Sequence, residues 1–218
     1  MDKPFVITIV GAESSGKTTL AMRLAEYFVC PWVPEYAREY LEGLERAYDE
    51  EDLGIMAAQQ LAEILAVVNR EPSTVSHESS DVRLEMVDPV LPNGLSETLK
   101  SLLVTRYSSL VIVDGGMMNM RMWARIKYKT SIPLVEEALE NDVTDLYLLC
   151  RPLNEWEPDA LREAPSIIDR VWIYNQYLEE LSKSKINLEI VGSMENEKFN
   201  KAVTLIEKLF KTIIKPTA

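Results

Sequence analysis

The chain has 218 residues, 47% of them apolar and 27% charged, which suits one globular domain with a sizeable core and excludes disorder along its whole length. A formal net charge of −12 repels nucleic acid and anionic membrane alike, so only local basic clusters are left to bind anions and non-specific DNA binding is disfavoured. Two cysteines, Cys30 and Cys150, make no metal spacing and no disulfide framework and read as reduced core thiols of a cytoplasmic protein, while the lone His77 rules out HExxH zinc chemistry and argues against a Ser/His/Asp triad.

The first predicted element is a strand over residues 5–10, a β-branched run too brief for a signal-peptide core or a membrane-spanning helix. It ends in a glycine and gives way to a helix, Lys17–Phe28, with Leu20, Leu24, Ala25 and Phe28 at helical spacing. A short strand at Trp32–Val33, a helix over 36–44 and a longer helix over 52–68 follow. Residues 70–94 are polar and turn-rich, which predicts a surface excursion before a helix over 95–104. A buried strand over 110–113 runs into Asp114, helical runs follow it, and a strand at Leu146–Cys150 comes next. The proline-rich, mixed-charge stretch 151–170 reads as a lid. A helix through Tyr174, Tyr177 and Leu181, a strand over 188–192 and an amphipathic helix over 199–214 close the chain. Strands alternating with helices predict an α/β fold with a parallel sheet covered on both faces. The whole of 1–218 reads as a single domain with an insertion at about 67–107 and a lid at about 151–170, and it has no internal repeat.

The stretch GAESSGKTTL satisfies GxxxxGK[ST] through Gly11, Gly16, Lys17 and Thr18. Glycines let the backbone turn so that the N–H groups of Ala12, Glu13, Ser14, Ser15 and Thr19 point inward with their neighbours. The helix beginning near Gly16 adds its positive end, Lys17 neutralises the β and γ phosphates of ATP, and Thr18 ligates Mg²⁺. Such a cradle works through main-chain amides, so Glu13 is tolerated with its side chain aimed outward. Alternatively, its carboxylate lies near the γ-phosphate and orients a nucleophile or metal-bound water. Asp114, ending an apolar strand, is a second Mg²⁺ candidate. In the expected lid, Arg151, Arg162 and Arg170 are candidates to stabilise transferring phosphoryl oxygens, Arg162 foremost, against a reading as surface ion pairs with Glu155, Glu157, Asp159 and Glu163. Trp123, Tyr128 and Trp156 either stack on a base or belong to the core.

Taken in order, GAESSGKTTLA, PEYAREYLE, DLGIMAAQQ, VDGGMMNMRMWARIKY and the run from LYLLCRP to EWEPDALRE resemble the nicotinamide-riboside kinase domain of NadR and its stand-alone P-loop relatives. The resemblance implies a P-loop NTPase of nucleoside/nucleotide-kinase type: a three-layer fold with a five-stranded parallel sheet, helices on both faces and a lid. It also implies Mg·ATP-dependent phosphorylation of the ribosyl 5′-hydroxyl of nicotinamide riboside. The family's acceptor-side motif falls on Glu35, Tyr36, Ala37 and Arg38, whose carboxylate and guanidinium suit ribose hydroxyls or removal of the 5′-hydroxyl proton. Trp123 matches a family tryptophan; Trp156, Asp159, Leu161 and Arg162 match the lid, and Arg170 matches it approximately. The chain departs from the family where relatives carry Asp-Thr-Asp and it reads Asp114, Gly115 and Gly116, and again where a threonine is replaced near Asn119 and Met120.

The leading expectation is therefore an ATP-dependent small-molecule kinase, with Lys17, Asp114, Arg162 and Glu35 as its catalytic candidates. A regulatory module that keeps the cradle but has lost its acceptor site is the alternative, favoured by Asp-Gly-Gly. A DNA-dependent ATPase comes third, because recombinases use a similar cradle but the acidic balance opposes it. The partners expected are a nucleotide and a small nucleoside, with no nucleic acid and no membrane; oligomeric state is left open.

Overall fold

The computed structural model describes residues 3–69, 110–153, 155, 163–192 and 194–213, and for 210–213 only the backbone. Five strands, β1 (Phe5–Gly11), β2 (Trp32–Val33), β3 (Leu110–Asp114), β4 (Leu146–Cys150) and β5 (Asn187–Val191), form one sheet in the order β2-β3-β1-β4-β5. Every pairing is parallel. The central strands are apolar almost throughout because a parallel sheet is covered on both faces and offers no wet side for alternation. Val6, Ile7, Ile9 and Val10 of β1 all have no exposure.

Seven helices are described: α1 (Lys17–Phe28), α2 (Tyr36–Glu42), α3 (Glu50–Val68), α4 (Gly116–Trp123), α5 (Pro133–Glu140), α6 (Ile167–Ser182) and α7 (Glu195–Ile213). Leu20, Leu24 and Phe28 of α1 join Ala202 and Ile206 of α7 over Ile7, Ile9 and Ile112 on one face. On the other face Leu53, Met56 and Ile64 of α3 pack with Met117 and Met120 of α4 over Val6, Val111 and Val113. Beside them Tyr174, Tyr177 and Leu181 of α6 cover Val10, Tyr147 and Leu149. Among the described residues, no helix is long and apolar enough to cross a membrane.

The expected elements form with small shifts. The α2 helix stops at Glu42 because Gly43 caps it. The α3 helix starts two residues earlier than its apolar period suggests, because Asp49 and Asp52 make a capping box: the Asp49 side chain accepts from the Glu51 and Asp52 amides, and Asp52 accepts from the Asp49 amide. After Trp123 the helix widens into a π-turn, Ala124–Tyr128. Residues 167–170, expected in the lid, are the first turn of α6. Of the expected insertion, 67–69 end α3; its remainder and the expected helix over 95–104 lie outside the described residues.

Register places the chemistry. Ile9 pairs with Asp114, and Gly11 with Cys150, so β1, β3 and β4 end side by side at the carboxyl edge. In an open parallel sheet ligands bind in the crevice beyond that edge where adjacent strands send their connections in opposite directions, here between β1, which leads toward β2, and β4, which leads toward β5. Fully buried Gln60 of α3 pins the turn into α2 on both sides of Glu35: its Oε1 accepts from the Tyr36 amide at 2.8 Å and its Nε2 donates to the Pro34 carbonyl at 3.0 Å. Gln60→Leu removes both partners, and a loss of about 1–3 kcal/mol is expected in chemical denaturation, with an unchanged m-value.

Candidate active site

The loop between β1 and α1 is shaped by close approach. A Cβ on Gly11, whose φ is +154°, would sit 2.9 Å from the Cys150 carbonyl and 2.9 Å from Ser15 Oγ, so the strand end tolerates no side chain. Ser14 follows in the left-handed region at φ 52°, an uncommon conformation for a residue with a Cβ. The α1 helix then begins with no side-chain cap and no acidic residue in its first turn. Its leading amides and positive end are thus left for an anion from outside the helix. Two more polar atoms lie there: Ser14 Oγ and Ser15 Oγ are buried without a hydrogen-bond partner among the described residues.

Lys17 projects from this helix start with its Nζ 3.7 Å from Glu35 Oε2. Burial alone would favour the neutral amine, but Glu35, Asp114 and Glu13 outweigh it and hold the ammonium above its ordinary pKa. Asp114 is fully buried, and among the described residues neither carboxylate oxygen has a hydrogen-bond partner. Burial, then the charge of Glu35, push its pKa well above the usual carboxylate range, against the pull of Lys17, Thr18 and Arg38. A buried carboxylate with two unpaired oxygens beside a threonine hydroxyl is costly unless something cationic meets it, and hard oxygen donors of this kind fit Mg²⁺.

Glu35 is itself oriented. Its Oε1 accepts from Asn119 Nδ2 at 2.8 Å, and Asn119 Oδ1 accepts from the Tyr177 hydroxyl at 2.8 Å. A carboxylate only accepts, so the amide must turn its NH₂ toward Glu35 and its oxygen toward the phenol. Burial, with the charges of Glu35, Glu13 and Asp114, pushes Tyr177 far above its ordinary pKa, which keeps the proton on the donor. The relay also accounts for the first glycine of Asp-Gly-Gly. A Cβ on Gly115 (φ +79°) would lie 2.5 Å from Asn119 Nδ2 and 3.3 Å from Glu35 Oε1. The space that a side chain at 115 would need is filled by the Asn119 amide.

A cavity of about 350 Å³ joins these parts, lined by Glu13, Ser14, Ser15, Gly16, Lys17, Thr18 and Thr19 on one side and by Glu35, Arg38 and Trp123 on the other. Gly11 and Ala12 lead into it, and Asp114 lies beneath Lys17. Tyr36 does not line it: its ring packs near Tyr40 and among the apolar residues under α3. The Tyr128 ring also leaves the cavity, and its hydroxyl donates to the Tyr48 carbonyl at 2.7 Å. Glu13 turns its side chain away from the cradle, onto protein and not into solvent: it is 8% exposed and accepts from the backbone amides of Glu163 and Ala164. Arg170 has no exposure and binds three backbone carbonyls, so it is not a surface ion pair. Arg151 is exposed. Trp156, Glu157, Asp159, Leu161, Arg162 and His77 lie outside the described residues.

Three side chains that support the site escape a sequence reading. Tyr177 looks like a core aromatic at helical spacing. Asn119 is visible only as a departure in a methionine-rich helix. Lys198, 2% exposed at the start of α7, donates its ammonium to the Ser15 carbonyl from behind the cradle, and nothing in its local sequence signals this.

A strand-loop-helix cradle at the carboxyl edge of a 2-3-1-4-5 parallel sheet defines a P-loop nucleotide-binding domain of kinase-like fold. The chain belongs to a family described as an AAA domain, whose model matches residues 6–197. No curated protein matches it in sequence. Among solved structures it is similar to NadR in complex with NR, with a TM-score of 0.69 and 20% identity, over 99% of this chain and 54% of that one. NadR in complex with NAD and AMP-PNP is similar at a TM-score of 0.66 and 19% identity, over 99% of this chain and 52% of that one. The chain thus spans about half the length of the NadR chains. Thymidylate kinase from Ehrlichia chaffeensis is similar at a TM-score of 0.55 and 12% identity, over 95% and 99% of the two chains. At these identities the likeness establishes the fold.

Gly115→Ala forces a Cβ into a left-handed position and against Asn119. A loss of about 1–3 kcal/mol is expected in chemical denaturation. Tyr177→Phe leaves Asn119 Oδ1 buried without its donor, and about 1–2 kcal/mol is expected there by the same measurement.

Proposed function

We propose that the protein is an ATP-dependent small-molecule kinase that phosphorylates the 5′-hydroxyl of nicotinamide riboside or a similar nucleoside. The observation that carries the reading is the shared cavity, in which the phosphate cradle and Lys17 face Glu35, Arg38 and Trp123 across a few ångströms, with Glu35 Oε2 3.7 Å from Lys17 Nζ. Both halves of a transfer site, one for the polyphosphate and one for a polar acceptor, are thereby together. NadR, described with NR and with AMP-PNP, and thymidylate kinase share the fold, which supports the reaction class by analogy.

In this reading the acceptor hydroxyl attacks the γ-phosphorus of ATP, a new P–O bond forms, and the bond to the β–γ bridging oxygen breaks to leave ADP. Catalysis of such a transfer is mostly positioning and charge stabilisation. The cradle amides and Lys17 hold the polyphosphate. Glu35, with Oε1 occupied by Asn119, offers Oε2 to the acceptor hydroxyl and takes its proton. Arg38 and Trp123 supply a polar contact and a flat apolar face for the sugar and base. Thr18 and Asp114 are the residues that would hold Mg²⁺, which supplies charge neutralisation between the phosphates.

The regulatory alternative rests on Gly115 and Gly116, which remove a carboxylate from the acceptor side. Glu35, oriented by its relay, still offers a carboxylate on the acceptor side, which favours the kinase. Incubation with Mg·ATP and a panel of nucleosides that includes nicotinamide riboside is expected to yield a 5′-monophosphate and ADP in equal amounts, and EDTA is expected to abolish both. ATP binding without product from any acceptor contradicts the kinase reading. Glu35→Gln is expected to lower kcat by about 10²- to 10⁴-fold while the Kd for Mg·ATP stays within about threefold. A kcat within about threefold of wild type contradicts the role given to Glu35.

A further inference from the structure

Glu13 is a carboxylate inside a loop built to hold an anion, where an unengaged negative charge would oppose the ligand. The structure engages it. Glu13 Oε2 accepts from the amides of Glu163 at 2.9 Å and Ala164 at 2.8 Å, and Oε1 from Glu163 at 3.1 Å. Its neighbour in the cradle makes a second contact of the same kind, because the Leu153 amide donates to the Ser14 carbonyl at 3.4 Å. Leu153 and Glu163–Ala164 are the two ends of one connection, from β4 to α6. Both ends therefore rest on consecutive residues of the phosphate-binding loop.

A buried guanidinium closes the same junction from the other side. Arg170, in the first turn of α6, donates through Nη2 to the Leu153 carbonyl at 3.1 Å. Through Nη1 it donates to the carbonyls of Ala164 at 3.2 Å and Pro165 at 2.7 Å. The carboxylate takes the amides of the junction and the guanidinium takes its carbonyls. Each charge is buried, and each makes charge-assisted hydrogen bonds to the backbone of the junction. Such an arrangement costs too much desolvation to be retained as a decoration of the surface.

We propose that Glu13 and Arg170 are positioning residues that couple occupancy of the phosphate-binding loop to the order of the two stems, Leu153 and Glu163–Pro165, that rest against it between β4 and α6. A ligand that fixes the backbone of residues 13 and 14 fixes both stems through the clasp. By reciprocity, fixed stems favour the ligand. Glu13 on this account acts through the stems and does not touch the reacting atoms. The inference rests on the nucleotide reading of the cradle but not on the identity of the acceptor.

Amide hydrogen exchange by NMR, on wild type, Glu13→Gln and Arg170→Lys, with and without saturating Mg·AMP-PNP, tests this. Without nucleotide, Glu13→Gln is expected to speed exchange at Glu163 and Ala164 by about tenfold or more, with the amides of β1 and β4 unchanged. With nucleotide, wild type is expected to gain protection both at Lys17–Thr18 and at Glu163–Ala164, and Glu13→Gln at Lys17–Thr18 alone. Arg170→Lys keeps the charge but loses the fork; it is expected to show the same uncoupling and serves where Glu13→Gln does not fold. A variant whose stem still gains protection on nucleotide binding overturns the proposal. So does uniform loss of protection across the fold, which marks a merely structural role. If nucleotide protects nothing in wild type, the nucleotide reading and the coupling both fall, and the nucleotide-free arm tells that failure apart from failure of the clasp itself.

Discussion

The constraint on which this molecule depends is the delivery of a run of backbone amides, followed by one ammonium group, to the centre of the sheet's carboxyl edge. β1 is buried between β3 and β4, so its end point is fixed from both sides, and Gly11 allows it to pass within contact distance of Cys150. The turn that follows has no freedom to wander, and α1 must start where the strand leaves it. Apolar packing of Leu20, Leu24 and Phe28 against the sheet then holds the helix's uncapped end over the crevice. Burial in the core is thus converted into a fixed array of donors for an anion. An array positioned in this way needs no reorganisation when its ligand arrives.

Around that array the charges are arranged in opposed pairs that share groups. Lys17 lies between Glu35 and Asp114, Glu13 is turned away onto the backbone of the 163–164 stem, and Lys198 supports the cradle from behind. Among the described residues Asp114 alone is a carboxylate buried with both oxygens unpaired. The other carboxylates near the cradle, Glu13 and Glu35, are engaged by amides, by an asparagine or by a lysine, so an acidic protein can present a site open to a polyphosphate.

Much of this is legible in the sequence, for physical reasons. The strand and helix periods of β1, α1, β3 and β4 are those of fully buried elements, and GxxxxGK[ST] encodes a backbone shape that few other contexts require. Lys17, Thr18 and Asp114 are accordingly picked out by pattern and Glu35 by the family resemblance, and the four lie close together in the fold. Other features hide because they depend on contacts far apart in the chain. The relay from Tyr177 to Asn119 to Glu35 spans three elements, and a Tyr at core spacing in α6 gives no hint of a polar partner. Arg170 reads as a surface or phosphate-facing arginine, yet it is buried on carbonyls that sequence cannot place. Gly115 reads as a loss until the Asn119 side chain is seen to occupy the adjacent space.

The most direct test of the central claim is a calorimetric titration of the purified, folded protein with Mg·ATP, run beside Lys17→Ala. Saturable binding with a Kd at or below the millimolar range is expected for wild type, weakened by about tenfold or more when the ammonium is removed. No heat of binding at millimolar nucleotide, or equal affinity in the two proteins, would contradict the account.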